Sequence, residues 1–273
     1  MTPVLVDGEA SLSVPAGDRG LAFGDGVFRT LHVRAGRPLN WQWHYRRLRA
    51  DCEMLRLPVP EERVLLGELA LVAPANAVAK IMVTRGASGR GYAIPEGRTS
   101  SRIVAAFPAP VYHPALARDG VIVRRCELKL SQQPRLAGAK TLNRLENVLA
   151  RSEWSDAAIA EGLLADSQER VIEGTMSNVF IVKDGVASTP DLSRCGVVGA
   201  QRERVRELLQ LAAGIECRVR DLGWADVEDA DEFFLTNSLI GVWPVASFGE
   251  QRWKPGPVTK CVQQLIVDDD ARD

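Results

Sequence analysis

Three prolines fall within PAPVYHPALARDG, residues 108–120, a stretch without helical or strand periodicity. Proline fixes its own backbone angle and lacks an amide hydrogen, so such a stretch reads as a linker between folded units. A chain of 273 residues accommodates one large domain or two. The proline stretch decides for two, a smaller domain over residues 1–112 and a larger one over 119–273.

On the first side, VLVDG reads as a strand, a turn follows at Gly8-Glu9, and SLSV is extended. After a Gly-rich turn at Asp18-Arg19-Gly20, GVFRTLHVRAGRPL carries β-branched residues at Val27, Thr30 and Val33 and a hairpin loop at Arg34-Ala35-Gly36. From Trp41 to Leu55 the residues Trp41, Tyr45, Leu48, Cys52 and Leu55 recur at helical spacing, and Pro58 and Pro60 stop the helix. A second helix, Glu61 to Val72, leads to the strands AKIMVTRG and RIVAAF, separated by the glycine-rich SGRGYAIPEGRTS. On the second side VIVRRCELKL, GLLAD, RVIEG, NVFIVKDG and ADEFFLTN read as strands. TLNRLENVLARSEWSDAAIAEG reads as a helix with Leu142, Leu145, Leu149 and Ser152 on one face, and another helix runs from Arg202 to Ala213. Strands and helices mix without a run of βαβ units, which predicts the α+β class.

The 34 basic and 35 acidic residues leave a formal charge of -1, which gives no electrostatic reason to expect a nucleic acid or an anionic membrane as partner. A small molecule is the better expectation. The N-terminus lacks a basic stretch followed by an apolar one, and no apolar run is long enough to span a bilayer, so the expected location is the cytoplasm. Five scattered cysteines without a CxxC pair read as reduced thiols. With three histidines and no HExxH spacing, no protein-built metal site is expected.

Only six lysines occur, and Lys140 differs from the rest by lying in PRLAGAKTLNRLE, between a Pro/Gly-marked loop and the apolar face of a helix. Held away from solvent, its amine would lose its proton readily, as a carbonyl-directed nucleophile or a carbon-acid base must. The same pattern also fits a lysine that pairs at a helix end. Glu173 in RVIEGTMSNVF closes a short apolar strand, where a carboxylate can be pinned against a cofactor's ring nitrogen or can simply line a turn. GVVGA opens a helix and could offer backbone amides to a phosphate. Arg47 in HYRRLRADC is either a solvated helix residue or a guanidinium for a phosphate ester.

Seven segments in order resemble the fold-type IV pyridoxal-phosphate family of branched-chain and D-amino-acid transaminases and aminodeoxychorismate lyases. They are DRGLAFGDGVFRT (18–30), HYRRL (44–48), RGASGRGY (85–92), AKTLNRLENVLAR (139–151), EGTMSNVF (173–180), GVVGAQRERV (196–205) and TNSLIGVWPV (236–245). The resemblance implies a small N-terminal α/β domain, a larger C-terminal mixed α/β domain, a pyridoxal 5'-phosphate cleft between them, and a homodimer. It makes Lys140 the lysine that bonds the cofactor, Glu173 the partner of the pyridine nitrogen and Arg47 the phosphate arginine. Ala200 and Gln201 would give backbone N–H groups to the same phosphate, with the Ser238 hydroxyl nearby.

Within the family, Lys140-Thr141-Leu142-Asn143-Arg144-Leu145-Glu146 is similar to the Lys-x-Leu-Asn-Arg-Leu-Glu run of the aminodeoxychorismate lyases, and RGASGRGY points the same way. The resemblance therefore implies elimination of pyruvate from aminodeoxychorismate to give 4-aminobenzoate for folate synthesis, downstream of an aminodeoxychorismate synthase. Lys140 would act as base and then as acid. Arg90, Tyr92 and Arg29 are the candidates for the substrate carboxylates. Arg29 replaces an acidic residue of many relatives, and it either draws a carboxylate or faces solvent. A D-amino-acid or branched-chain aminotransferase is the alternative, and a silent pyridoxal-phosphate-binding protein comes third.

Overall fold

The computed structural model describes residues 4–97 and 100–271, and the chain divides into two compact units. The first contains residues Met1–Pro110 together with a short return, Ala139–Asn143; the second contains Val111–Gly138 and Arg144–Asp273. Lys140 thus packs with the N-terminal unit, although it lies well past the proline stretch. A reading along the chain draws one boundary and has no way to show a five-residue return.

In the N-terminal unit the described elements are β1 (Val4–Val6), β2 (Glu9–Ala10), α1 (Arg19–Phe23), β3 (Gly26–Arg34), β4 (Arg37–Pro38), α2 (Trp41–Met54), α3 (Glu62–Val72), β5 (Asn76–Thr84) and β6 (Ser101–Pro108). Their antiparallel sheet runs β2-β1-β6-β5-β3-β4. Strand alternation decides which side chains go inward: Val27, Arg29, Leu31 and Val33 of β3 are buried. The apolar members of that set join Leu48 and Cys52 of α2 and Leu65, Leu69 and Val72 of α3 in one core. Burying each such leucine is worth about 2 kcal/mol, enough to fix how α2 and α3 lie on the sheet.

The helical spacing correctly locates α2, but the helix is turned further than its apolar residues suggest. Its buried stripe is His44, Leu48, Asp51 and Cys52, while Trp41 and Tyr45 pack at the margin of the core. Two polar side chains are thereby carried inward. The turn expected at Asp18-Arg19-Gly20 is the start of α1, where Asp18 Oδ1 accepts the Gly20 amide at 2.7 Å and the Leu21 amide at 3.4 Å. Residues 98 and 99 of the loop between β5 and β6 lie outside the described residues.

The C-terminal unit contains α4 (Ala115–Arg118), β7 (Val121–Leu130), α5 (Leu145–Arg151), β8 (Ile159–Asp166), β9 (Arg170–Gly174), β10 (Asn178–Lys183), β11 (Val186–Pro190) and α6 (Ala200–Leu211). It continues with β12 (Cys217–Arg220), β13 (Leu222–Gly223), α7 (Trp224–Glu228), β14 (Glu232–Asn237), β15 (Gly241–Phe248), β16 (Gln251–Arg252) and α8 (Pro257–Asp270). The sheet order is β12-β11-β10-β14-β15-β7-β8-β9-β13, with β16 beside β15. Parallel pairs β11/β12, β15/β7 and β7/β8 sit among antiparallel ones, the mixture the α+β expectation describes. α6 and α8 pack on Phe180, Val182, Phe234 and Val242, and Arg204 of α6 pairs with Asp269 of α8 at 2.7 Å.

The long helix expected from Thr141 is not formed. Only Leu145–Arg151 is helical, and Leu145, Val148 and Leu149 on it are exposed. Residues 140–142 are not helical, because their backbone groups are bonded elsewhere. β4 pairs only with Val33 and Arg34, which leaves one edge of β3 open at its start. The returning segment fills that edge: Phe28 N–H donates to Lys140 O at 2.9 Å and Leu142 N–H to Gly26 O at 2.9 Å. A bridge joins Val27 to Thr141. Gly26 is required there, because a Cβ would stand 2.5 Å from Val83 O and 2.7 Å from Leu142 Cδ1.

Candidate active site

Pairing with β3 sets the position of Lys140. Its side chain is half-buried, and Nζ lies 4.7 Å from the centroid of the Phe28 ring. The aromatic face covers one side of the amine. The Lys140 amide donates to Asp51 Oδ2 at 3.2 Å. One turn earlier on α2, the Arg47 Nη2 group donates to Asp51 Oδ1 at 3.1 Å. Arg29 Nη2 also bonds Asp51 Oδ2. Lys140, Arg47 and Arg29 are thus gathered by one carboxylate, Asp51, whose side chain has no exposure.

Asp51 is a residue the sequence reading missed. Its signal was available, since it follows Arg47 at i+4 on a helix, where opposite charges meet. Arg29 does not take the solvent-facing place, and its guanidinium is bonded to Asp51. At 2% exposure it does not face solvent, because β3 alternation turns it toward α2. Burial lowers its pKa, and the Asp51 carboxylate works against that shift.

Arg90 and Tyr92 lie exposed in the loop after β5. The Tyr92 ring rests against Phe23 at 5.2 Å, and Arg19 donates to Gly91 O at 2.9 Å and Tyr92 O at 3.2 Å. Arg19 and Arg85 both bond Asp25 Oδ2 at 2.8 Å, and Arg85 also donates to Leu55 O and Arg56 O at the end of α2. Burial alone would raise the Asp25 pKa, but the two guanidiniums hold it below the usual carboxylate value. This network accounts for the Asp-Arg-Gly and Gly-Asp-Gly parts of the first signature.

The C-terminal unit collects the other candidates at one end of its strands. Glu173, near the end of β9, is 3% exposed, and its Oε2 accepts the Val197 amide at 2.7 Å. Asn178, the first residue of β10, donates from Nδ2 to Val197 O at 2.8 Å and accepts the Gly199 amide on Oδ1 at 3.1 Å. Residues 197–199 are therefore fixed between Glu173 and Asn178. They lead straight into α6, whose first two residues are Ala200 and Gln201. The first bond across that turn runs from Glu203 N–H to Gly199 O, so the Ala200 and Gln201 amides precede the helical ladder and point out of the helix end. A Cβ on Gly199 would stand 2.2 Å from Asn178 Oδ1, which explains the glycine. Ser238 follows β14, whose Thr236 is in register with Asn178. Its turn is shaped by Asn237 Oδ1, which accepts the Leu239 and Ile240 amides.

A second carboxylate absent from the sequence reading supports this end. Glu161 on β8 is 1% exposed and accepts from the amides of Gly162, Thr175 and Met176 and from the hydroxyls of Thr175 and Ser177. It shapes the Gly174–Ser177 turn just after Glu173. Cys52, Cys126 and Cys195 are buried thiols whose pKa values burial raises to about 12, so they are poor nucleophiles.

Among the described residues no helix is long and apolar enough to cross a membrane. The family model for class IV amino-transferases matches residues 26–248. The aminodeoxychorismate lyase of Vibrio harveyi is 37% identical over 264 residues, covering 95% of this chain and 97% of the relative. The crystal structure of 4-amino-4-deoxychorismate lyase from Pseudomonas aeruginosa is 44% identical with a TM-score of 0.93, covering 97% of this chain and 98% of that one. The Escherichia coli branched-chain amino acid aminotransferase structure is 26% identical with a TM-score of 0.81, covering 96% and 92%.

Proposed function

The chain belongs to the class IV amino-transferase family, and within it we infer that it is a pyridoxal-phosphate-dependent 4-amino-4-deoxychorismate lyase, releasing pyruvate and 4-aminobenzoate. The observation that carries the step from family to lyase is the likeness to the Pseudomonas aeruginosa lyase along nearly the whole of both chains.

The donor set fits the cofactor. A phosphate dianion calls for a guanidinium and helix-end amides, which Arg47 and the Ala200 and Gln201 amides offer, with the Ser238 hydroxyl as a further donor. A pyridine nitrogen that must keep its proton calls for a carboxylate, and Glu173 is buried and held by a backbone amide. An aldehyde calls for an amine, and Lys140 is the lysine to which the cofactor would be bonded. When bound, the cofactor supplies that aldehyde for the substrate amine and a ring that accepts the electron pair left when a C–H bond breaks.

With the substrate amine held by the cofactor, Lys140 would be the base that takes the proton from the ring carbon bearing nitrogen. Glu173 would hold the proton of the pyridine nitrogen in place. Lys140 then delivers a proton to the methylene of the enolpyruvyl group, the C–O bond to the ring breaks, and pyruvate leaves as the ring becomes aromatic. One amine serves as base and then acid, held against the Phe28 ring. Arg90 and Tyr92, on an exposed loop, are the proposed contacts for the substrate carboxylates. Arg29 is withdrawn from that role. A homodimer, a cytoplasmic location and supply of the substrate by an aminodeoxychorismate synthase complete the reading.

The deciding experiment supplies aminodeoxychorismate, made in situ from chorismate by its synthase, and follows 4-aminobenzoate by fluorescence and pyruvate by a coupled dehydrogenase. Equal release of both without a keto acid is expected. Complete conversion of the cofactor to its amine form by D-alanine or a branched-chain amino acid, with no 4-aminobenzoate, would establish an aminotransferase instead.

A further inference from the structure

Arg29, Arg47 and Asp51 form a charge group inside the N-terminal unit from which mainly one member reaches the surface. The Asp51 side chain has no exposure and that of Arg29 has 3%, against 18% for Arg47. The two carboxylate oxygens are used differently. Oδ1 accepts from Arg47, and Oδ2 accepts from both Arg29 and the Lys140 amide. Arg29 Nη2 also approaches Arg47 O at 3.5 Å. One carboxylate therefore orients the proposed phosphate arginine and the backbone of the proposed catalytic lysine together.

Such a carboxylate creates a difficulty that Arg29 removes. Paired with Arg47 alone, Asp51 would cancel the charge a phosphate needs, and in a buried setting the like-charged phosphate and carboxylate would repel. With Arg29 present the group holds two positive charges and one negative. We infer that Arg29 and Asp51 are a positioning pair whose charges offset each other, so that Asp51 orients Arg47 and Lys140 while Arg47 keeps its positive charge for the cofactor phosphate. This rests on Arg47 being the phosphate arginine. It also gives a reason for arginine at position 29, since a guanidinium presents several charged donors to a buried carboxylate.

The test compares binding of pyridoxal 5'-phosphate and of pyridoxal, which lacks the phosphate, to the full chain stripped of cofactor. The ratio of the two dissociation constants isolates the phosphate contribution and normalises each variant against itself. Arg29→Met should lower the phosphate preference by on the order of tenfold or more, because Asp51 then neutralises Arg47. Arg29→Lys, which keeps the charge, should hold it near wild type. Asp51→Asn should leave the preference intact or raise it, while kcat falls as the Lys140 segment loses its acceptor. The double variant Arg29→Met/Asp51→Asn removes both charges and should return the preference close to wild type. Purely structural roles predict the reverse, with the double variant at least as impaired as Arg29→Met, and that result would overturn the inference. Arg47→Ala tests the premise separately. If its phosphate preference equals that of wild type, the phosphate-arginine reading itself fails; if it drops while the double variant is not rescued, only the charge-offset pair is wrong.

Discussion

Asp51 in the N-terminal unit and Glu161 in the C-terminal unit are both buried carboxylates beside candidate site residues, yet they draw on different partners. Asp51 takes two guanidiniums and one amide. Glu161 takes three amides and two hydroxyls and no cation among its described bonds. Glu173 follows the second pattern, resting on the Val197 amide. The N-terminal cluster therefore depends on a balance of charges, and a single neutral substitution upsets it. The C-terminal cluster depends on the path of the backbone, so its weak points are glycines and turn residues.

The largest effect should come from Lys140→Ala, which removes the one group assigned to both proton transfers. Activity should fall by about a thousandfold or more. The protein should also lose the cofactor adduct that borohydride fixes, as read by intact mass, while its thermal midpoint stays close to wild type. An adduct of normal mass in the variant would move the site to another lysine and dissolve the N-terminal half of the comparison.

An intermediate effect is expected from Gly199→Ala in the C-terminal unit. The added methyl would stand 2.2 Å from Asn178 Oδ1, so the start of α6 must shift. Overpacking of this kind costs about 1–3 kcal/mol, and the loss should appear as easier removal of the cofactor by dialysis. Since no charge changes, raising the salt concentration should not alter the ratio of variant to wild-type affinity by much. A ratio that moved strongly with salt would show that the α6 end, too, works through net charge.

The smallest effect concerns acid stability in the N-terminal unit. The Asp25 pKa lies below its unfolded value of about 3.9, held there by Arg85 and Arg19 against the effect of burial. A depressed carboxylate contributes stability above its unfolded pKa and loses it as pH falls through the folded one. Asp25→Asn should thus have a lower denaturation midpoint than wild type at pH 6, and the gap should narrow below about pH 4. A gap that stays constant into acid would mean that the Arg19–Asp25–Arg85 network acts through shape alone.

Much of the fold was legible in local pattern. β-branched and apolar runs marked β3 and β5 to β10, and the 3–4 spacing of Leu48, Cys52 and Leu55 marked α2, because the pleated strand favours such residues and the helix repeats about every 3.6 residues. The helix expected from Thr141 failed for a reason outside its own residues. Leu142, Leu145 and Leu149 do repeat at helical spacing, but the backbone of 140–142 bonds the open edge of β3, and Leu145 and Leu149 stay exposed. The candidate site was partly legible in the same way. Lys140, Glu173 and Arg47 stood out through motif and residue type, whereas Asp51 and Glu161 did not, since a carboxylate's importance comes from the donors that surround it.

The amino-acid sequence by itself determined the membership in a family, the order of most strands and helices, and the chemical types available at the site: one distinctive lysine, a strand-end glutamate, a helix arginine and a glycine-opened helix. Tertiary structure alone decided that a five-residue return places Lys140 on β3, that Arg29 points inward to a carboxylate twenty-two residues away, and that Asp51 holds Arg29, Arg47 and the Lys140 amide at once. The physical reason is that periodicity and side-chain chemistry are properties of neighbours in the chain, while burial and charge balance are properties of neighbours in space.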